Sequence, residues 1–174
     1  MQEPEVSLRI AMKYIQEGKT SADVTVSIDG AHIKTKDTIH FDLVKFMREN
    51  GYLKCDDGAR WQGIYKASEN APRIIVSSKP GIGDVTIHLK DGKMLYIESK
   101  KFKCGSGGEY PAMREAIGQL MTGCPDDGNV IPVAAVPHSA KSEELARGWS
   151  CSRRICNAGI RFLLVSDGGD IEFV

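Results

Sequence analysis

Hydrophobic and polar positions along this chain follow two different periods, and the switches between them mark out its elements. Between residues 6 and 17, Leu8, Ile10, Met12 and Ile15 fall near helical spacing, which predicts a short helix. Residues 22–36 alternate instead and contain Asp29-Gly30, a pair that favours tight turns, so a β-hairpin is expected there. Residues 40–50 return to the helical period. Phe41, Val44 and Met47 form one stripe, Leu43 and Phe46 lie beside it, and Gly51 follows as a stop.

From residue 60 onward the period is that of strands, with candidates at 61–67, 72–77, 84–89 and 94–100. A glycine-rich loop over 104–108 leads into a helix over 110–122, with Pro111 in its first turn and Gly123 just past its end. The apolar run 130–136 reads as a buried strand, followed by a helix over about 140–157 and a strand over 160–165. Asp167 to Asp170 then turns into a last short strand. This order predicts an α/β protein of the mixed-sheet kind, a central sheet with helices against its faces. Residues 1–38 are expected as an N-terminal helix–hairpin elaboration on a core of residues 39–174.

Composition narrows the function classes. A chain of 174 residues can bury enough surface to fold without a metal or disulfide staple. No apolar run approaches the roughly 20 residues of a membrane span. The N-terminus lacks the basic stretch and apolar segment of a secretory signal, so a soluble, cytoplasmic protein is expected. The five cysteines are odd in number, scattered and free of any CxxC pair, which favours reduced thiols. Lysine plus arginine and aspartate plus glutamate number 23 each. That balance excludes a protein that grips nucleic acid by bulk charge, but not an enzyme whose positive charge is gathered in one cleft.

The chemistry concentrates in residues 80–101. A two-residue Asp91-Gly92 loop would set Val85 opposite Glu98 and mix an apolar residue with a carboxylate. A three-residue loop, Lys90-Asp91-Gly92 with a left-handed Gly92, pairs Leu89 with Lys93, Ile87 with Leu95 and Val85 with Ile97. One face is then apolar throughout, the condition that fixes register. The same register sets Asp84 opposite Glu98, with Lys100 two residues on and on the same face. Opposed residues have Cβ atoms roughly 4.5–5.5 Å apart. Two carboxylates that close repel unless a cation lies between them. A hard, oxygen-seeking ion, Mg²⁺ or Mn²⁺, fits that requirement. With a lysine beside it to hold or activate water, the set suits phosphodiester hydrolysis.

Asp84 on one strand, Glu98-Ser99-Lys100 on the next and a helix after them resemble the PD-(D/E)XK nuclease superfamily. The resemblance implies a restriction-endonuclease-like core over about residues 42–165 and metal-dependent hydrolysis of DNA phosphodiester bonds. It implies that Asp84 and Glu98 bind Mg²⁺ with the Ser99 backbone carbonyl as a further ligand, and that Lys100 positions or activates the attacking water. Gln119, on the following helix, would orient the lysine, the water or a phosphate. Glu49 is the candidate for the additional acid that many relatives carry on the helix before the sheet. Two positions depart from the pattern: the first motif reads Gly83-Asp84, with the proline back at Pro80, and Gly123 stands where the QxxxY form has its tyrosine. No subfamily follows.

Residues 79–103 hold six lysines against three acids, and Lys79, Lys101, Lys103 and Arg114 are the expected contacts to the nucleic-acid backbone. His88 and His138 read better as groove-lining or structural residues than as bases. Two rival readings stay open: a non-catalytic nucleic-acid-binding or assembly module on the same fold, and a structural domain with a cysteine-bound metal. Also open are the form of DNA taken (branched or single-stranded), endo- or exonuclease action, and a homodimer or partner protein.

Overall fold

A computed structural model of the protein describes residues 1–58, 60–80, 82–103 and 107–174. Its elements follow in the order α1 (Glu3–Gln16), β1 (Val24–Ser27), α2 (Gly30–Ile33), β2 (Lys34–Thr35), β3 (Thr38–Ile39), α3 (Leu43–Glu49), β4 (Leu53–Lys54), β5 (Gly63–Lys66) and β6 (Ile74–Ser77). Then come β7 (Val85–His88), β8 (Met94–Ser99), α4 (Glu109–Gly123), β9 (Val130–Pro137), α5 (Ala140–Ser150), α6 (Arg153–Asn157), β10 (Arg161–Val165) and β11 (Ile171–Phe173).

Nine of these strands form one mixed sheet in the order β11-β10-β9-β8-β7-β1-β6-β5-β4, while β2 and β3 pair separately. The pairs β8–β9, β9–β10 and β1–β6 are parallel, and the remaining ladders are antiparallel. Helices cover both faces, so the central strands bury side chains on both sides. Val133, Ala135, Leu163 and Val165 point into the core that holds α1. Ala134, Val136, Phe162 and Leu164 point into the core under α4 and α5. That two-sided burial explains why 130–136 lacks polar alternation.

The N-terminal segment differs most from expectation. Residues 1–38, expected as an elaboration, supply an interior strand of the sheet and a helix across its face. β1 lies between β6 and β7, so those neighbours in sequence do not pair. α1 touches β1, β7, β8, β9 and β10 and buries Val6, Leu8, Ile10, Ala11 and Met12. Asp29-Gly30 is not a hairpin turn. The Asp29 carboxylate accepts the Ala31 N–H at 2.9 Å and caps α2. The helix expected over 140–157 is two helices, broken at Cys151-Ser152, where Ser152 is extended. The β7–β8 hairpin has the expected register, Val85 with Ile97 and Ile87 with Leu95, closed by Leu89 N–H donating to the Lys93 carbonyl at 2.8 Å and by Gly92 at φ +87°. Among the described residues, no helix is long and apolar enough to cross a membrane. Cys55, Cys124, Cys151 and Cys156 are free thiols. Residues 104–106 of the glycine-rich loop lie outside the described residues.

Candidate active site

The site forms at the end of β8, where the first turn of α1 and the outer face of α4 approach the sheet from opposite sides. Asp84 immediately precedes β7, and its Oδ2 accepts the Ser99 N–H at 2.8 Å. That bond fixes the carboxylate against the β8 backbone beside Glu98. Asp84, Glu98 and Gln119 share one cleft of about 480 Å³ with Ser27, Asp29, Ser78 and Tyr96. Burial, first, and the neighbouring carboxylate, second, push Glu98 up to about 7. Burial raises Asp84 to about 6, against the pull of the Ser99 N–H and of Lys100. The pair is therefore set to share a proton when nothing else neutralises it.

Lys100 is the hub between the helices. Its side chain is 9% exposed, and its Nζ lies 3.6 Å from Glu3 Oε1 on α1 and 3.6 Å from Glu115 Oε1 on α4. Glu3 also faces His32 of α2, with Nδ1 to Oε1 at 3.4 Å. Glu3, Glu115 and His32 are additions to the residues expected from sequence. Glu115 could have been found, because it precedes Gln119 by one helical turn and so shares its face. Glu3 carries no local signal.

Glu49 does not join the site. It lies on α3, 61% exposed, paired with Lys45 at 3.9 Å. Glu3, not Glu49, is the acid beside Lys100, because α1 rather than α3 is the helix laid across the sheet.

The two sequence departures have physical reasons. Gly83 has φ +71°, which the proline ring cannot adopt. A Cβ there would also lie 3.0 Å from the Tyr96 ring. Gly83→Ala is therefore expected to lower stability by about 2 kcal/mol, from left-handed backbone strain plus the Tyr96 contact; urea unfolding measures it, and an unchanged midpoint would contradict this account. At Gly123 a Cβ would meet the Tyr96 hydroxyl at 3.3 Å, so a β8 tyrosine occupies the space beside that helix position.

The expected backbone contacts scatter more widely. Lys79 and Lys101 are exposed, and Lys101 Nζ reaches Gln2 Oε1 at 3.4 Å. Lys103 is exposed, and Arg114 lies over the Tyr110 ring at 5.5 Å. None of the four lines the carboxylate cleft. His88 is exposed at the opposite end of β7, and His138 pairs with Glu143 at 3.3 Å.

The donor set fits a hard divalent ion. Two half-buried carboxylates with raised proton affinity lie near Lys100, with His32 also on the Asp84 side, and Mg²⁺ commonly takes one or two carboxylates with waters and substrate oxygens. Glu3 is already engaged by Lys100 and His32. Among the described residues, the set of three acid or histidine ligand atoms within 4.8 Å is His138, Glu143 and Glu172, not Glu3, Asp84 and Glu98. Arg147 already bridges those two glutamates, at 2.9 Å to Glu143 and 2.5 Å to Glu172, which disfavours a cation there. A larger recess of about 760 Å³, by Met121, Cys124 and Ile160, holds none of the site's carboxylates.

No family model, curated protein or solved structure matches the chain.

Proposed function

We propose that this protein is a metal-dependent nuclease that hydrolyses DNA phosphodiester bonds, on a restriction-endonuclease-like core of the PD-(D/E)XK kind. The observation that carries this reading is the juxtaposition of Asp84 and Glu98, mutually repelling and half-buried in a cleft, with Lys100 at the end of the strand that carries Glu98. A bare pair of this kind destabilises the fold at neutral pH, so a retired site has no physical reason to keep it. Mg²⁺, when bound, polarises the phosphoryl group and makes hydroxide available near neutral pH.

The chain's own residues supply the rest. Asp84 and Glu98 hold the ion, with the Ser99 carbonyl as a further ligand. The Ser99 N–H keeps Asp84 turned toward it. Lys100, held between Glu3 and Glu115, positions the attacking water and offers its charge to a phosphate oxygen. Gln119 lines the cleft from α4 and orients the water or the phosphate through its amide. Tyr96 walls the cleft on one side.

The test is a cleavage screen over linear, single-stranded and branched DNA, and RNA, with Mg²⁺, Mn²⁺ or EDTA and a Glu98→Ala control. Cleavage of DNA that EDTA and Glu98→Ala both remove is expected, as is its loss in Lys100→Ala. If every substrate survives with either metal, the enzyme reading fails. Binding that survives alanine at Asp84, Glu98 and Lys100 together, with no cleavage by the wild type, would favour a non-catalytic module.

A further inference from the structure

A second depression opens beside the carboxylate cleft. It measures about 600 Å³, and the two share Asp29 and Ser78 as common wall. Lys34, Lys36, Arg60 and Trp61 line it. Lys34 begins β2, Lys36 forms the turn between β2 and β3, and Arg60 and Trp61 lead into β5. Three cations from two separate stretches of chain are thus brought round one aromatic ring.

No ion pair among the described residues takes up this charge. Lys34, Lys36 and Arg60 are all exposed. None of the three is in an ion pair among the described residues, although many other lysines and arginines are. The one acid lining the depression, Asp29, is engaged in capping α2. Lys36 and Arg60 hold φ +51° and +58°, the two non-glycine residues with positive φ among those described. Such conformations cost about 1 kcal/mol each and persist where the surroundings impose them. Trp61 is partly buried against the core, close to Gly30, and also lines the depression. An unpaired basic wall with an aromatic platform is the means by which proteins hold single-stranded nucleic acid: phosphates meet the cations and a base stacks on the ring.

We propose that this groove is the track for a single strand of DNA entering the carboxylate cleft, with a base stacked on Trp61 and neighbouring phosphates taken by Lys34, Lys36 and Arg60. It deepens the nuclease reading and rests on it for the direction of travel, but the binding itself does not need cleavage. The contacts expected from sequence, Lys79, Lys101, Lys103 and Arg114, are not part of it. Stacking on Trp61 favours an unpaired strand over a duplex, because a base can reach an indole face only when its own partner is gone.

The experiment is fluorescence anisotropy with a fluorescein-labelled twelve-nucleotide oligothymidylate in EDTA, so that nothing is cut. Wild type is expected to bind it, with affinity falling as salt rises. The double variant Lys34→Glu/Lys36→Glu is expected to bind at least about tenfold more weakly, with a log–log salt slope shallower by roughly 0.7 for each phosphate that is no longer neutralised. Both residues are exposed and unpaired, so an unchanged thermal melt confirms that the variant is folded. In a Trp149→Phe background Trp61 is the remaining tryptophan of the two in the chain, and its emission is expected to fall on saturation. Undiminished binding by the double variant, unchanged Trp61 emission, or a matching duplex binding as tightly as the single strand would each overturn the proposal. Oligonucleotide that binds here but survives Mg²⁺ would sink the nuclease reading and leave the groove standing. Cleavage at wild-type rate by Lys34→Glu/Lys36→Glu would do the reverse.

Discussion

Glu98→Gln is expected to abolish metal-dependent cleavage and, in the same protein, to raise stability. The two effects have one cause. Glutamine keeps the shape of the side chain but removes the charge that repels Asp84 and that, in the proposed function, would hold the ion. Losing an ion worth several kcal/mol of transition-state stabilisation lowers the rate by roughly a thousandfold or more. The stability effect depends on pH, and its sign follows from the raised carboxyls. Asp84 and Glu98 keep protons in the folded chain that they release when unfolded, over the range from the ordinary carboxylate value up to about 6 and about 7. Between those limits the native state binds more protons than the unfolded one, so stability falls as pH rises. Without metal, wild type should therefore melt higher at pH 5 than at pH 8, as far as this pair is concerned. Glu98→Gln should flatten that slope.

At pH 8 in EDTA the variant should exceed wild type by about 2 kcal/mol, a figure already discounted for the solvent that reaches half-buried Glu98. For a chain of this length that is roughly 4–8 °C in melting temperature. Mn²⁺ should stabilise wild type and leave Glu98→Gln unmoved, because only a state that binds the ion gains from it. Scanning calorimetry at the two pH values, with and without Mn²⁺, reads all of this. A variant that melts lower than wild type at pH 8 would mean the two carboxylates do not strain the apo site.

The same physics decides what the sequence could reveal. Asp84 and Glu98 are legible because they belong to one hairpin, whose register is fixed by Val85, Ile87, Leu95 and Ile97 all needing the same face. Gln119 is singled out only by the family resemblance, on the helix just downstream. The groove cations and Glu3 are not legible, because they reach the site only through tertiary packing. β1 reads as an ordinary alternating strand, and nothing in Val24–Ser27 says that it runs parallel to β6 in the interior of the sheet. Once it does, α1 must cross the sheet and deliver its first turn to Lys100. Asp29-Gly30 shows the limit of local signals: an aspartate before glycine serves a hairpin turn and a helix cap equally well, and only the burial of Ile33 behind α2 selects the cap. Glu49 stands out over Glu3 in the sequence for the same reason, since the helix nearest in sequence is not the helix nearest in space.

Glu3 gives the second large effect. Its carboxylate is 15% exposed and holds Lys100, which is itself almost buried, while the other partner, Glu115, is 60% exposed and so a weak anchor. A buried ammonium left without its better partner loses the contact that fixes its position. Glu3→Gln is therefore expected to lower the cleavage rate roughly 10–100-fold, the range seen when a residue that orients a catalytic group is removed. Glu49→Gln should leave it near wild type, since an exposed i,i+4 pair contributes only about 0.3–0.5 kcal/mol.

The two roles open to Glu3 separate in the metal titration. As a positioning residue it leaves the Mn²⁺ affinity of Asp84 and Glu98 within about threefold of wild type while the turnover rate falls, because the ion's own ligands are untouched. As a direct ligand it would weaken Mn²⁺ binding by as much as it weakens cleavage. Its engagement by Lys100 and His32 favours the first outcome. Equal losses in affinity and rate would move Glu3 into the ligand set and leave Glu115 as the principal anchor of Lys100.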